Sequence, residues 1–428
     1  MQQPVHVQTH ASSAQHDIKY VVQTTCCIVG AGPAGAILAL LLARQGIPVM
    51  LLEAHMDFDR AFRGDTLHPA VLTILDELGI ADRLLQLPHT EIQSISAQTA
   101  TETITIGNLQ LLKTKYPFIA LVPQTDFLQF IVTEAARYPT FQLVMGAQVD
   151  ALLEDPDGHI SGVRYRGQDG YCEAHATLTV GADGRFSRIR KLSGFKSITM
   201  SPPMDVLWFR LSQKAEDGEL PIGRFVGGHI LVTLKRYDHW QLGLVIPKGG
   251  YQQIHAAGLE PFRSIIAETA PPFAERVDEL QEWKQISVLS VEASRMRRWY
   301  RPGLLLIGDA AHVMSPVGGV GINYAIQDAV VAANVLAGKL KYGIVQVQDL
   351  AKVQRERELP TRVIQMFQNI LQRQFLARIL NTQQLPRFSP VGRLLLRIPL
   401  LQAIPARLMA FGLRQAHVQQ TIAEPEHV

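Results

Sequence analysis

Cysteine is scarce: the 428 residues carry three, two of them the neighbours Cys26 and Cys27 inside one apolar run. No disulfide framework can be built from these, and thiols so placed read as small core residues of a cytoplasmic protein rather than as redox groups. An excess of either charge is also missing. Charged residues make up 18% of the chain and the formal net charge is +3, which gives no electrostatic case for nucleic acid as a partner. The first 20 residues lack the apolar segment of a signal peptide and read as a disordered tail. His6, His10 and His16 stand isolated in that tail, so no metal site is assigned. The most apolar stretch, Ala36 to Leu52, is broken by Arg44, Gln45, Gly46 and Pro48 and is not read as a membrane span.

What is present is organised around Cys27 to Glu53. Thr25 to Val29 form a short β-branched and apolar run, as a buried parallel strand should, and Gly30, Gly32 and Gly35 follow in G-x-G-x-x-G spacing. Gly30 permits a tight turn, Gly32 lets a pyrophosphate approach the backbone, and Gly35 lets the next helix pack on the strand. Pro33 and Ala34 open that helix, which runs to Arg44 and presents free N–H groups and its positive dipole end to the phosphates. Pro48 to Leu52 is the second strand. Glu53 at its carboxyl end stands where an acid accepts hydrogen bonds from a ribose diol. Taken alone, the stretch leaves FAD and NAD both open.

Two further strand-to-turn units follow. Cys172 to Val180 ends in GADGRFSRIR, where Asp183 is read first as a cap and second as a lining of the nucleotide site. Leu304 to Ile307 ends at Gly308-Asp309, and AAHVMSPVGGVGIN leads into a long helix, Ile322 to Leu340. Asp309 sits where open α/β sheets bind ligands, and the glycines Gly318, Gly319 and Gly321 let backbone amides face an acceptor. Arg63 lies in a loop returning toward the nucleotide, where a guanidinium could fork onto a pyrophosphate. Between these units, alternation over Glu91 to Asn108 and strands across Met204 to Val291 indicate a β module, with Gly227 and Gly228 read as a bend or bulge. Beyond Thr361 the chain carries eight arginines and two acids. Arg393 and Arg397 stand among leucines in VGRLLLRIPLLQAIPARLMAF, which sets core packing against peripheral contact with a membrane surface.

Taken in this order, GAGPAG with Glu53, GADGRFSRIR and GDAAHVMSPVGGVGIN resemble the FAD-dependent monooxygenases of the p-hydroxybenzoate hydroxylase type, the flavoprotein aromatic hydroxylases that include the ubiquinone-biosynthesis hydroxylases. The similarity spans roughly residues 20 to 345. It implies that Gly30, Gly32 and Gly35 hold the FAD pyrophosphate and that Glu53 binds the adenosine ribose. Arg63 and Gln124 match the family's arginine and glutamine near the pyrophosphate and ribityl chain, and Asp309 matches its ribityl-binding aspartate. The turn of Gly321, Ile322 and Asn323, preceded by Gly319, matches at those three residues the backbone facing the pyrimidine edge of the flavin. Asp183 belongs to an Asp-Gly motif associated with both FAD and NAD(P)H. Val320 and Ile322 depart from the glutamine and methionine of many relatives. His312 is a candidate for proton movement, set against a structural role.

The resemblance implies an α/β fold: a Rossmann-like FAD-binding domain, an interrupting β-rich substrate domain and a C-terminal helical region. The boundaries read as 1–20 for the tail, 21–90, 115–200 and 293–345 for the FAD-binding domain, 91–114 and 201–292 for the β-rich domain, and 346–428 for the helical region. The implied activity is NAD(P)H-dependent hydroxylation or epoxidation of an electron-rich small molecule by O2 through a C4a-hydroperoxyflavin, with NADH or NADPH as co-substrate. A flavin-dependent reductase of isoprenoid double bonds and a non-catalytic flavin sensor are the alternatives. A halogenase lacks its Trp-x-Trp-x-Ile-Pro segment here.

Overall fold

The computed structural model describes residues 18–59, 65–99, 101–382 and 399–419. Its central sheet begins with β1 (Ile18–Val29), whose last four residues are buried. That strand starts inside the stretch read as tail and is longer than Thr25 to Val29. Its polar first half is retained because Ile18 to Thr24 pair in parallel with residues from Tyr171 to Ala176. The α1 helix (Pro33–Ala43) follows and is buried on nearly every side, and β2 (Val49–Glu53) is buried throughout. A continuous apolar run is what a parallel strand covered on both faces needs.

Across the sheet the strands run Tyr300–Arg301, Leu304–Leu306, Gly170–Gly181, β1, β2 and Phe141–Met145. The last five are mutually parallel, and the antiparallel strands Gln148–Glu154 and Ile160–Gly167 extend the sheet beside Gly170–Gly181. Two helices, α1 and the long Gly321–Lys341, pack together over one face with Gln124–Ala135. Gly321–Lys341 belongs to the one helix long and apolar enough to cross a membrane among the described residues, but 83% of its apolar window is buried inside the protein, so here it is a core helix. Cys26 and Cys27 are fully buried, and burial pushes the Cys27 thiol up to about 12 and that of Cys26 higher still.

A second, seven-stranded sheet joins Ser94–Thr99 and Thr103–Asn108 to the strands between Met204 and Leu289. Gly227 and Gly228 both have positive φ, 58° and 79°, and form the two-residue turn of a hairpin rather than the bend or bulge expected. Alternation along Met204–Ser212 divides its side chains. Leu207, Phe209 and Leu211 face helices that include Phe262 and Ile266, whereas Met204, Val206 and Trp208 face the other way. A buried ion pair between Arg236 and Asp65, 2.8 Å, ties this sheet to the residue preceding the strand Thr66–Leu67.

Candidate functional site

Four parallel strands stop in one row. Leu52 is in register with Val29, Val29 with Gly181 and Gly181 with Leu306. The turns that follow, Glu53, Gly30–Gly35, Ala182–Gly184 and Gly308–Asp309, therefore leave the same carboxyl edge of the sheet, where open α/β folds take their ligands. Three sequence motifs more than a hundred residues apart meet there.

The three glycines of the first turn divide as their spacing predicts. Gly30 has φ +102°, and a Cβ on it would lie 2.6 Å from the Ala182 carbonyl oxygen. A Cβ on Gly35 would lie 1.9 Å from the Gly30 oxygen, so strand and helix touch backbone to backbone. Gly32 has open space on its missing side chain: nothing lies within 4 Å. Pro33 occupies the first turn of α1, and the first hydrogen bond of the helix runs from Ala36 N–H to the Gly32 oxygen. The N–H groups of Ala34 and Gly35 precede that ladder and, together with the open side of Gly32, could cradle a phosphate.

The acids differ in what they already hold. Glu53 is buried, accepting from Ala31 N–H at 3.0 Å and from His55 at both its N–H, 3.1 Å, and Nδ1, 2.9 Å. Asp183 caps the turn after it, accepting from Ser187 Oγ at 2.5 Å, Arg188 N–H at 2.6 Å and Ile189 N–H at 3.0 Å, which matches its first reading. Asp309 lies on a short 3-10 turn whose carbonyl is held by Arg190 Nη1 at 3.1 Å, and the same nitrogen reaches the Ala310 carbonyl at 3.2 Å. Half burial holds the Arg190 guanidinium below its usual pKa, with nearby acids opposing. Thus the middle motif braces the late one through an arginine to which the sequence assigned no role.

The glycine cluster is fastened to the strand Thr66–Leu67. Gly319, φ +62°, accepts from Thr66 Oγ1 at 2.8 Å. Asn323 receives the His68 N–H at 2.8 Å and donates to the carbonyls of Thr66 and Gly319 at 3.1 and 3.2 Å, so its side chain is a clamp. The first bond of the long helix runs from Tyr324 N–H to Val320, leaving the N–H groups of Gly321, Ile322 and Asn323 ahead of the ladder. The side chains of Val320 and Ile322 are buried in the core, the former against Met314, Tyr324 and Ile364, so only their backbone can face a ligand. Gln124 is the first residue of the helix Gln124–Ala135. Arg63 lies outside the described residues, as do His6, His10, His16, Arg393 and Arg397.

His312 is 1% exposed and lies against Asp328 and the Trp299 ring, ring centroids 5.0 Å apart. Asp328 also receives Arg357 Nε at 2.8 Å and the Gly308 N–H at 3.0 Å. This places His312 in a structural network beneath the Gly308–Asp309 turn. Arg357 belongs to a buried polar ladder on the helix Val347–Ile370 and its continuation: Gln354, Arg357, Thr361, Gln365, Gln368 and Gln372. Gln365 donates to the carbonyls of Ser294 and Val313, and Gln368 to those of Ser315 and Val317. The helix therefore holds the backbone of the late motif from below. The sequence did carry a signal, polar residues at three- and four-residue steps, but that pattern ordinarily marks a solvent face.

Between this loop and the second sheet lies an apolar wall. Met204, Val206, Trp208, Ile230 and Val245 form one cluster with Val317 beside the glycines and with Phe375 and Ile379 of the C-terminal helices. Phe225 and Phe375 meet edge to face at 6.5 Å. The helix Pro399–Phe411 closes another side, burying Ala406 and Ala410 against Leu109, Ile119 and Leu121.

The fold and this edge of glycine turns define a dinucleotide-binding α/β protein. Residues 23–359 match the family described as FAD binding domain, and the chain belongs to that family. It is 37% identical over 321 residues to the 6-methylpretetramide 4-monooxygenase of Streptomyces rimosus, covering 74% of this chain and 76% of that one. It is 26% identical to the ubiquinone hydroxylase UbiL of Rhodospirillum rubrum over 86% of this chain and 88% of the relative. Among solved structures, PqsL of Pseudomonas aeruginosa in complex with 2-aminobenzoylacetate superposes with a TM-score of 0.72 at 20% identity, over 84% of this chain and 98% of that one, which shows the shared fold. The protein is an FAD-dependent monooxygenase.

Proposed function

We propose that the protein hydroxylates an aromatic small molecule with O2, using NADH or NADPH as reductant. The observation that carries this reading is the row of strand ends Leu52, Val29, Gly181 and Leu306, which brings the motif turns to one edge, while Val317 of the late motif packs on an apolar cluster of the second sheet. Bound FAD supplies the electron transfer and oxygen chemistry. In this reading Gly30, Gly32, Pro33, Ala34 and Gly35 receive the pyrophosphate, Glu53 the adenosine ribose, Gln124 and Asp309 the ribityl chain, and the amides of Gly321 to Asn323 the pyrimidine edge. Asp183 shapes the turn beside them. The chain divides accordingly into an FAD-binding part, a β-rich part over 91–114 and 201–292, and a helical part from 346.

The apolar wall supports an aromatic substrate, because Trp208, Phe225 and Phe375 offer ring faces and edges while excluding water from the reacting atoms. The relative from Streptomyces rimosus acts on 6-methylpretetramide, and the PqsL structure holds 2-aminobenzoylacetate. A panel of phenolic and anilinic compounds tests the reading: the true substrate accelerates anaerobic flavin reduction by NAD(P)H, and its product gains one atom from isotopically labelled O2. A product without label would sink it, as would reduced nicotinamide consumed wholly to H2O2 with every compound.

A further inference from the structure

The helix Val347–Ile370 carries, opposite its buried ladder, a pattern used by neither the flavin site nor the core. Arg355, Leu359, Arg362, Met366 and Ile370 follow at three- and four-residue steps, and at 3.6 residues per turn they fall within about a quarter turn of one another. Leu359, Met366 and Ile370 are 60%, 59% and 46% exposed, and Phe367 flanks them at 44%. Single exposed apolar residues need no explanation, but an aligned row of them marks an interaction surface.

Where this row meets the segment from Arg297 to Tyr300, a cavity of about 360 Å³ opens, lined by Arg297, Arg298, Arg355 and Arg362 with Glu358 as the one acid. Glu358 already accepts from Gln354 at 3.2 Å, and Arg298 lies over the Tyr300 ring at 5.3 Å. Among the described residues no ion pair or hydrogen bond engages the side chains of Arg297, Arg355 or Arg362. Four guanidinium groups thus converge on one opening with a net charge of three.

We propose that this face docks on an anionic lipid bilayer, the arginine-lined cavity taking phosphate-bearing headgroups while Leu359, Met366, Phe367 and Ile370 enter the boundary with the acyl chains. Guanidinium forks match phosphate oxygens, and cations beside an apolar stripe are the composition of helices that lie in a membrane interface. Charge complementarity selects the occupant, because a second copy of the same face would set its arginines against these. The ladder holds the helix in place, so docking orders nothing new. The face lies upstream of VGRLLLRIPLLQAIPARLMAF, in which residues 391–398 fall outside the described residues and Ala406 and Ala410 are spent on the core. The inference is independent of the substrate reading.

The test uses the full-length, FAD-loaded protein with vesicles of phosphatidylcholine alone and of phosphatidylcholine mixed with phosphatidylserine. It co-sediments with the mixed vesicles at low salt and not with the neutral ones. Replacing Arg297→Glu, Arg355→Glu and Arg362→Glu together lowers binding roughly a hundredfold, and Leu359→Ser with Met366→Ser and Ile370→Ser lowers it as well. Flavin content and Tm stay unchanged in both variants, since these side chains face solvent. The proposal is overturned if the protein ignores anionic vesicles or if both variants bind like the parent. It is equally overturned if inorganic pyrophosphate at matched ionic strength raises the Tm of the parent but not of the arginine variant while vesicles stay unbound. That result would assign the cavity to a soluble phosphate compound. A dimer that the serine variant dissolves would assign the face to self-association.

Discussion

Nε2 of His312 lies 2.6 Å from Oδ2 of Asp328, with both side chains shut away from solvent. A carboxylate only accepts, so the shared proton sits on Nε2. Burial opposes ionisation of Asp328, but His312 and Arg357 together outweigh it and hold the carboxyl below its usual pKa. Because the same carboxylate receives the Gly308 N–H, the network fixes the turn that carries Asp309. Asp328→Asn keeps the volume and removes the charge, leaving Arg357 buried and largely uncompensated. A loss of about 3–5 kcal/mol is expected in urea unfolding. A loss below about 1 kcal/mol would mean that the turn is held by Arg190 alone.

The glycines at 32 and 35 separate ligand space from packing space. Gly35→Ala drives a methyl group into the Gly30 carbonyl at 1.9 Å, so this variant should lose both flavin and thermal stability. Gly32→Ala meets nothing within 4 Å, so its apoprotein should melt like the parent. Its FAD affinity should nevertheless fall at least tenfold if the pyrophosphate occupies that space, read by equilibrium dialysis. Undiminished flavin in Gly32→Ala would move the phosphate elsewhere.

The turn geometry at Gly30 and Gly35 was legible because its determinants are contiguous: a strand, three glycines and a helix start within eleven residues. At Gly227-Gly228 the two adjacent glycines mark an irregularity, read as a bend or bulge, but the hairpin turn emerges only with the pairing of Val226 and His229. Asp328, Arg357 and the glutamines were not legible. The spacing of Arg357 and the glutamines is that of a helix's wet face, and only tertiary contacts, such as those of Gln368 with the Ser315 and Val317 carbonyls and of Asp328 with His312 and Arg357, reveal these residues as buried. The parallel pairing of Gly223–Val226 with Ala97 to Thr99 joins segments more than a hundred residues apart, and no local pattern encodes which strand receives which.

Asp309 gives a direct test of the ribityl assignment. A carboxylate bonded to hydroxyls contributes about 1.5–3 kcal/mol, or roughly ten- to a hundredfold in affinity. Asp309→Ala should lose flavin on dialysis by that factor, and Asp309→Asn should recover part of it, because the amide still offers an acceptor. If occupancy is the same in all three proteins, Asp309 serves only the local turn.

His68 makes the pH dependence of stability specific. Its Nδ1 lies 2.8 Å from the Met409 carbonyl, so that nitrogen carries the proton, while Nε2 is buried without a partner among the described residues. Burial lowers its pKa to about 4, with the Met409 carbonyl pulling the other way. The unfolded value is about 6.5. As the pH falls below that value the unfolded chain takes up a proton the folded one refuses, so stability is lost from there down to the folded pKa. Between pH 7.5 and 5 this amounts to about 2 kcal/mol. His68→Gln can still donate to the Met409 carbonyl but does not titrate. Urea midpoints at the two pH values should therefore show the parent losing more stability than the variant by about that amount, other titrating groups being common to both. Equal losses would mean that His68 gains a proton acceptor or water in the folded state, and that the contact with the helix Pro399–Phe411 is not the acid-sensitive one.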